Sequence, residues 1–289
     1  MSVTSRPAVA CVVALAVALA AGCGDDRSTT IDTSQFPNNR RLYAMPLDQI
    51  ATDNVVLSDY AENLLVQPCM KNAGFAWPVP AVDPNAPPSA TLNDAGRRLF
   101  NVDVAARFGY HRAPSNQPNA GQIGELNTRS LAARESASLK RCSGQARRRL
   151  PRPNARLVFS LSSAAYEAAQ ADAGVIKRAT KWHACMAPRG VSDLPAAPTE
   201  MPSPSLGRRF GLDAGPGGRS SGPTPDEIGL ATADARCRES SGYAQAFYAA
   251  ERDRQLKLIG TNEDALSRVK DVYSRHASQV RAVIARSGT

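Results

Sequence analysis

The stretch CMKNAG at residues 69–74 recurs as CMAPRG at residues 185–190, so the pattern Cys-Met-x-x-x-Gly occurs twice in this chain of 289 residues. A proline-rich segment follows each copy and leads to a Gly-Arg-Arg tripeptide. Each half then contains one more cysteine in a stretch with helical character, Cys142 in the first half and Cys237 in the second. This shared order predicts an internal duplication, with chance recurrence as the alternative.

Four cysteines lie in the body of the chain, and four cysteines allow three pairings. The duplication selects one of them, because it places one bridge inside each half. The predicted disulfides are Cys69–Cys142 and Cys185–Cys237. In the chain-entropy treatment, bridges that close loops of this length each stabilise the fold by about 4 kcal/mol.

A metal site or a redox-active thiol pair is the alternative use of these cysteines. The chain contains no Cys-x-x-Cys motif, and its three histidines, His111, His183 and His276, are scattered. Zinc and haem sites use ligands at short, regular spacings, and redox pairs favour Cys-x-x-Cys. The sequence therefore predicts no metal and no cofactor. His276 falls on an apolar helical stripe and is interpreted as a packed core histidine.

The N-terminus predicts a cleaved targeting segment over residues 1–22. Residues 8–21 form an unbroken apolar run, which is shorter than the roughly 20 residues that a membrane-spanning helix needs. The run ends in LAAGC, residues 19–23, which resembles the lipobox of bacterial lipoproteins, although Ala20 stands where leucine is commonest. In that class the cysteine, here Cys23, receives a diacylglycerol that anchors the protein to the extracytoplasmic face of the cell membrane. An ordinary secretory signal is the alternative.

Residues 23–46 are polar at their start and lack apolar periodicity, so they are predicted to form a flexible tether. Helical periodicity dominates the remainder. The predicted fold is mainly α, with two duplicated helical halves at residues 47–156 and 157–289, each carrying a long Pro/Gly-rich loop and one disulfide. The last two helices are predicted to form an antiparallel hairpin at Gly260, with one kinked rod as the alternative. The stripe of the last helix consists of Leu266, Val269, Tyr273, His276, Val280 and Val283.

The formal net charge is +9, and cations concentrate in residues 134–156, where Glu135 is the single acidic residue. One interpretation is a solvated helix end, where cations complement the helix dipole. The other is contact with a polyanion, either phospholipid headgroups or a cell-wall polymer. The arginines singled out for this contact are Arg141, Arg147, Arg148, Arg149 and Arg152. Export excludes nucleic acid as the partner.

One catalytic pattern occurs, G-x-S-x-G at residues 218–222. That motif needs a preceding strand and a following helix, whereas here it lies in a glycine-rich loop between prolines. It is therefore interpreted as incidental, and the chain is predicted not to be an enzyme.

The stretch WHACM at residues 182–186, together with Gly190, Arg209-Phe210, Cys237 and ARFGYH at residues 106–111, resembles a group of uncharacterised bacterial envelope lipoproteins. The resemblance implies an exported, disulfide-braced helical protein and no established activity. The predicted function is a non-enzymatic binding or interaction module of the cell envelope, with a wall polymer or an envelope protein as partner. An envelope hydrolase whose site is assembled from distant residues, and a solute-binding lipoprotein, are the alternatives.

Overall fold

The computed structural model describes residues 31–85, 100–111, 119–212 and 222–287. Within these ranges the chain forms ten α-helices and several short 3-10 turns, without any strand, which confirms the mainly helical prediction. The helices are α1 (Val55–Asn72), α2 (Val102–Phe108), α3 (Ala120–Thr128), α4 (Ala133–Arg149), α5 (Arg156–Gln170), α6 (Ala173–Met186), α7 (Pro204–Arg209), α8 (Pro225–Ser240), α9 (Tyr243–Thr261) and α10 (Glu263–Ser287).

Both disulfides form as the duplicated pattern predicts. Cys69–Cys142 joins α1 to α4, and Cys185–Cys237 joins α6 to α8, each with a Cα–Cα distance of 5.7 Å. The separations of 73 and 52 residues along the chain correspond to about 4 kcal/mol of stabilisation each through the reduced entropy of the unfolded chain. In both cases the bridge fastens a pair of helices that also pack against each other.

The segment before α1 is packed into the body, which corrects the predicted tether over residues 23–46 from residue 31 onward. Ile31 and Phe36 are buried against the C-terminal helices, and Met45 is completely buried. The backbone N–H of Ile31 donates to Glu263 Oε1 at 3.0 Å, and that of Leu47 donates to Gln255 Oε1 at 3.0 Å. A few well-placed apolar side chains and these hydrogen bonds fix a segment that has no helical periodicity of its own.

Each disulfide-linked helix pair also packs against a helix from the other predicted repeat. Helix α2 packs on α8, where Phe100 and Tyr110 join the core cluster that contains Trp182. Helix α10 packs along α1, where Val280 joins the cluster that contains Leu57. Each half of the sequence therefore contributes to a core that is built mainly by the other half.

The end of the chain differs from the predicted hairpin. Gly260 lies inside α9, and the break to α10 falls at Asn262. Helix α9 packs mainly on α5, whereas α10 packs mainly on α1, and the two touch near their junction, where Ile259 meets Leu266. The apolar stripe of α10 is present as predicted: Leu266 packs in the cluster that contains Ile259, and Val280 and Val283 pack against α1. No described helix is both long enough and apolar enough to span a bilayer.

Candidate binding site between α1 and α4

Helix α4 carries most of the basic run at residues 134–156, and it has a buried inner face and an exposed outer face. Ser138, Cys142 and Ala146 recur every four residues and are buried against α1, as expected for one face of a helix. The arginines between them are exposed to solvent. The five arginines predicted to contact a polyanion therefore do not form one uniform patch, and their surroundings separate them into two groups.

The first group consists of Arg147 and Arg152, which are ion-paired with α1. Arg147 Nε donates to Glu62 Oε1 at 2.9 Å, and Arg152 donates to Glu62 Oε2 from Nε at 3.1 Å and from Nη2 at 2.9 Å. Arg152 Nη2 also donates to Asp59 Oδ1. The Glu62 side chain is only 11% exposed, so both of its oxygens are used inside the protein. These two arginines are thus neutralised by carboxylates that the sequence analysis did not connect to them.

A cavity of about 580 Å³ opens beside these ion pairs. Its wall contains both arginines and both carboxylates, together with Asn63, Trp77, Asn127 and Ser143. Asp59, Glu62 and Asn63 reach it together because residues three and four apart lie on one face of α1. Gly74, at φ +84°, lets the chain turn back after α1 and bring Trp77 to the site.

A chain of side-chain hydrogen bonds fixes the floor of this cavity. Trp77 is 4% exposed, and its Nε1–H donates to Asn63 Oδ1 at 2.9 Å. Asn63 Nδ2 donates to Asn127 Oδ1 at 3.0 Å and to the Asp59 carbonyl oxygen at 2.9 Å. The Arg129 guanidinium lies 4.6 Å from the centre of the Trp77 ring, within the range of a cation–π contact. The indole and both amides are therefore held in one orientation.

The second group consists of Arg141, Arg148 and Arg149, which form no ion pair with any residue that the structure describes. Arg141 and Arg149 line a second cavity of about 400 Å³ next to the Cys69–Cys142 bridge. All three are exposed, and they lie within about two turns of one helix. Their charges are available to a partner, in contrast to those of Arg147 and Arg152.

Two other polar clusters lie away from α4, and the first is a buried ion pair on α8. Asp234 accepts hydrogen bonds from Arg238 Nε at 2.8 Å and Nη2 at 2.9 Å, and from Trp182 Nε1 at 2.8 Å. Arg238 also lies 4.6 Å from the ring centre of Phe100. Burial, together with the charge of Asp234, raises the pKa of Tyr110 far above its ordinary value. Because each carboxylate oxygen has a partner, this cluster has a structural role in joining α2, α6 and α8.

The second cluster is a carboxylate–imidazole pair. His111 Nδ1 lies 2.8 Å from Glu227 Oε1, which also accepts the backbone N–H of Tyr110 at 2.7 Å. Glu227 is fully buried, and its Oε2 has no hydrogen-bond partner within the described ranges. The pair could not be recognised from the sequence, because its members are 116 residues apart. Histidine and carboxylate side chains within hydrogen-bond distance of each other are the residue types that acid–base sites use.

A serine, a histidine and an aspartate also meet near the start of α1, but not as a catalytic triad. Ser58 Oγ donates to Asp53 Oδ1 at 2.7 Å and lies 3.1 Å from His276 Nε2. Because the single hydroxyl hydrogen goes to Asp53, Nε2 of His276 must donate to Ser58 and does not act as its base. His276 is 3% exposed, which confirms its prediction as a packed core histidine.

The remaining sequence-based predictions concern other parts of the chain. Cys23, the apolar run before it and the serines of the G-x-S-x-G match lie outside the described residues. Within the described ranges, no group of three or more His, Cys, Asp or Glu side chains is arranged to hold a metal ion.

Comparisons with protein-family models, with curated proteins and with solved structures found no match to this chain.

Proposed function

We propose that this protein is a lipid-anchored module of the bacterial cell envelope that binds a phosphate-bearing polyanion through the outer face of α4. The observation that carries the proposal is the contrast between the two groups of arginines. Arg147 and Arg152 are neutralised by α1, whereas Arg141, Arg148 and Arg149 are exposed and lack a carboxylate partner among the residues described.

The anchor in this proposal is Cys23, and the two disulfides support export. Disulfides persist in oxidising compartments outside the cytoplasm and are rare inside it, and both bridges close with a normal Cα–Cα distance. A lipobox-like ending directly after a short apolar run supports lipidation. Two acyl chains on one residue hold a protein stably at the membrane surface, where a single chain does not.

The electrostatic contribution of the outer face is large enough to measure. Each cation near an anionic surface contributes about 1 kcal/mol, so three arginines contribute about 3 kcal/mol, or roughly a 100-fold change in affinity. Phospholipid headgroups and phosphate-containing wall polymers share this chemistry. In both cases the binding is expected to weaken as the salt concentration rises.

The test is co-sedimentation of the mature chain, produced from residue 24 onward, with phosphatidylglycerol vesicles and with purified wall polymer. The variant combines Arg141→Gln, Arg148→Gln and Arg149→Gln, and it should lose binding. A matched control removes the same charge from exposed cations of α10, as Lys270→Gln, Arg275→Gln and Arg281→Gln. Equal loss in both variants would show that net charge alone drives binding, and the proposed site would be wrong.

An envelope hydrolase is the second candidate, and the His111–Glu227 pair is the observation that favours it. A buried carboxylate that orients an imidazole is a recurring part of hydrolytic sites. The test compares hydrolysis of p-nitrophenyl acetate by the purified protein and by His111→Gln. Turnover that disappears in the variant would support the hydrolase, and equal rates would remove this candidate. A solute-binding lipoprotein is less well supported, since such proteins usually have α/β folds and the described residues form helices only.

A further inference from the structure

We propose that the cavity between α1 and α4 is a binding site for a neutral sugar. This site is separate from the outer face of α4 and does not depend on the proposed polyanion contact. The cavity volume is about 580 Å³, within the range of roughly 300–1,000 Å³ that is usual for small-molecule sites. Its lining combines two acidic and two basic side chains with amide and hydroxyl groups and with the apolar surfaces of Trp77 and Leu139.

The balance of charge argues for a ligand without net charge. Arg147 and Arg152 face Glu62 and Asp59, and all four groups are joined by hydrogen bonds. The two positive and two negative charges cancel inside the site. An anion that approached the guanidinium groups would also meet the negative charges of Glu62 and Asp59, whereas a neutral ligand meets no net charge in the site.

The hydrogen-bonding groups that remain unused identify the chemistry of the ligand. Towards the described residues Arg147 donates only from Nε and Arg152 only from Nε and Nη2, so both Nη nitrogens of Arg147 and Nη1 of Arg152 are counted as donors for a ligand. Asn127 accepts through Oδ1, which leaves its Nδ2 as a further donor. On the acceptor side, Asp59 Oδ2 makes no hydrogen bond to a described residue, and the Ser143 hydroxyl can both donate and accept.

This mixture of donors and acceptors matches a row of hydroxyl groups. Each hydroxyl donates one hydrogen bond and accepts others, so neighbouring hydroxyls of a sugar can bind a guanidinium and a carboxylate in turn. A ligand made only of acceptors could not donate to Asp59 Oδ2, whereas a hydroxyl could, and hydrogen bonds to a charged group are among the stronger ones. The inferred ligand class is therefore a neutral monosaccharide or one unit of a neutral glycan.

The site is also held in place before any ligand arrives. The Cys69–Cys142 bridge ties together α1 and α4, the two helices that supply most of the lining residues, and the hydrogen bonds from Trp77 to Asn63 and from Asn63 to Asn127 fix the floor. Rigid sites bind more tightly because less conformational freedom is lost on binding. Trp77 also provides a reporter, since the chain has only two tryptophans and Trp182 lies in a different core cluster.

The experiment follows the two indole N–H signals by NMR in the mature chain during titration with glucose, galactose, mannose and N-acetylglucosamine in turn. Inorganic phosphate and glucuronate serve as charged comparators. The variant is Arg147→Met, and the matched control is Arg148→Met, which removes an adjacent exposed arginine that does not line the cavity. Thermal unfolding checks that both variants fold. Ser143→Leu fills the cavity without touching the ion pairs and replaces Arg147→Met if that variant does not fold.

The expected result is a saturable shift of the Trp77 signal with at least one neutral sugar and no shift of the Trp182 signal. Arg147→Met should weaken this binding about tenfold, and Arg148→Met should not change it. Absence of any shift up to about 100 mM sugar would overturn the proposal, because a Kd of 1 mM already corresponds to only about 4 kcal/mol. A shift with phosphate or glucuronate alone, or equal loss in both variants, would also overturn it.

The proposal of a sugar site and the proposal of a polyanion surface can be tested independently. The variant that replaces Arg141, Arg148 and Arg149 should keep its sugar binding, because none of the three lines the cavity. Arg147→Met should likewise retain its binding to anionic vesicles. Loss of vesicle binding in wild type would therefore leave the sugar proposal standing, and the reverse also holds.

Discussion

Removing the two disulfides one at a time tests whether they stabilise the fold mainly by restricting the unfolded chain. The variants are Cys69→Ala with Cys142→Ala, and Cys185→Ala with Cys237→Ala. For closed loops of 73 and 52 residues, the chain-entropy relation gives about 4.4 and about 4.1 kcal/mol. Because the relation is logarithmic, the difference between the two variants is only about 0.3 kcal/mol.

The assay is urea unfolding followed by circular dichroism, with the free energy and its dependence on urea fitted for each variant. Both variants should lose about 4 kcal/mol, a large fraction of a typical net stability of about 5–15 kcal/mol. Both should also unfold with a steeper dependence on urea, because an unbridged chain exposes more surface. Alkylation without reductant should label no body cysteine in wild type.

Two results would refute this reasoning. A loss below about 1 kcal/mol in either variant would mean that native packing, and not loop closure, sets the stability. A difference of several kcal/mol between the variants would mean that local packing dominates, since Cys237 belongs to a core cluster with Trp182 and Met186. Labelling of a body cysteine in the untreated protein would contradict the pairing itself.

Three further predictions concern other residues. Gly109→Ala should destabilise the protein by about 2–4 kcal/mol in thermal unfolding, because φ of Gly109 is +56° and the new Cβ would lie 2.4 Å from Glu227 Oε1. The control is Gly190→Ala, where φ is +72° and no neighbour lies within 4 Å, and it should lower the stability by only about 1–2 kcal/mol. The hydroxyls of Ser203 and Ser205 lower the pKa of Asp193 to about 2, so the contribution of this carboxylate to stability should be complete above pH 3.8 and disappear as the pH falls towards 2. Asp193→Asn should lack this acid-dependent loss of stability in an NMR-monitored titration. A pH profile that is the same in the variant and in wild type would contradict the prediction. Cys23→Ser should move the protein from the membrane fraction to the soluble fraction or block its processing, whereas normal processing with full membrane retention would indicate a different anchor.

The sequence predicted those features whose signal is local or repeated. Cysteine pairing followed from the order of motifs in the two halves, and the stripe on α10, including His276, followed from spacing within one helix. Both predictions depend on residues that lie close together in the sequence or that recur in the two copies of the motif. The helical class followed from the same periodicity.

The features that the sequence analysis missed depend on distant partners. Ile31 and Phe36 are isolated apolar residues in a polar segment, and only α10 and its neighbours reveal that they are core. Helix α10 was predicted to fold back onto α9. Its apolar stripe shows that it packs against a partner helix but does not show which helix that is. Glu62 lies 85 and 90 residues from the arginines that it binds, so their ion pairs could not be read from the basic run.

Because α10 packs along α1, the first disulfide-linked helix pair has an incomplete core until the final 25 residues of helix have been synthesised. The Cys69–Cys142 bridge can close much earlier, since both of its cysteines precede α5. During synthesis the chain therefore passes through a stage in which the first disulfide can form while the apolar side of α1 is still open to solvent. A holding chaperone that acts at that stage would be expected to recognise α1, and shortening the C-terminus should prolong that association.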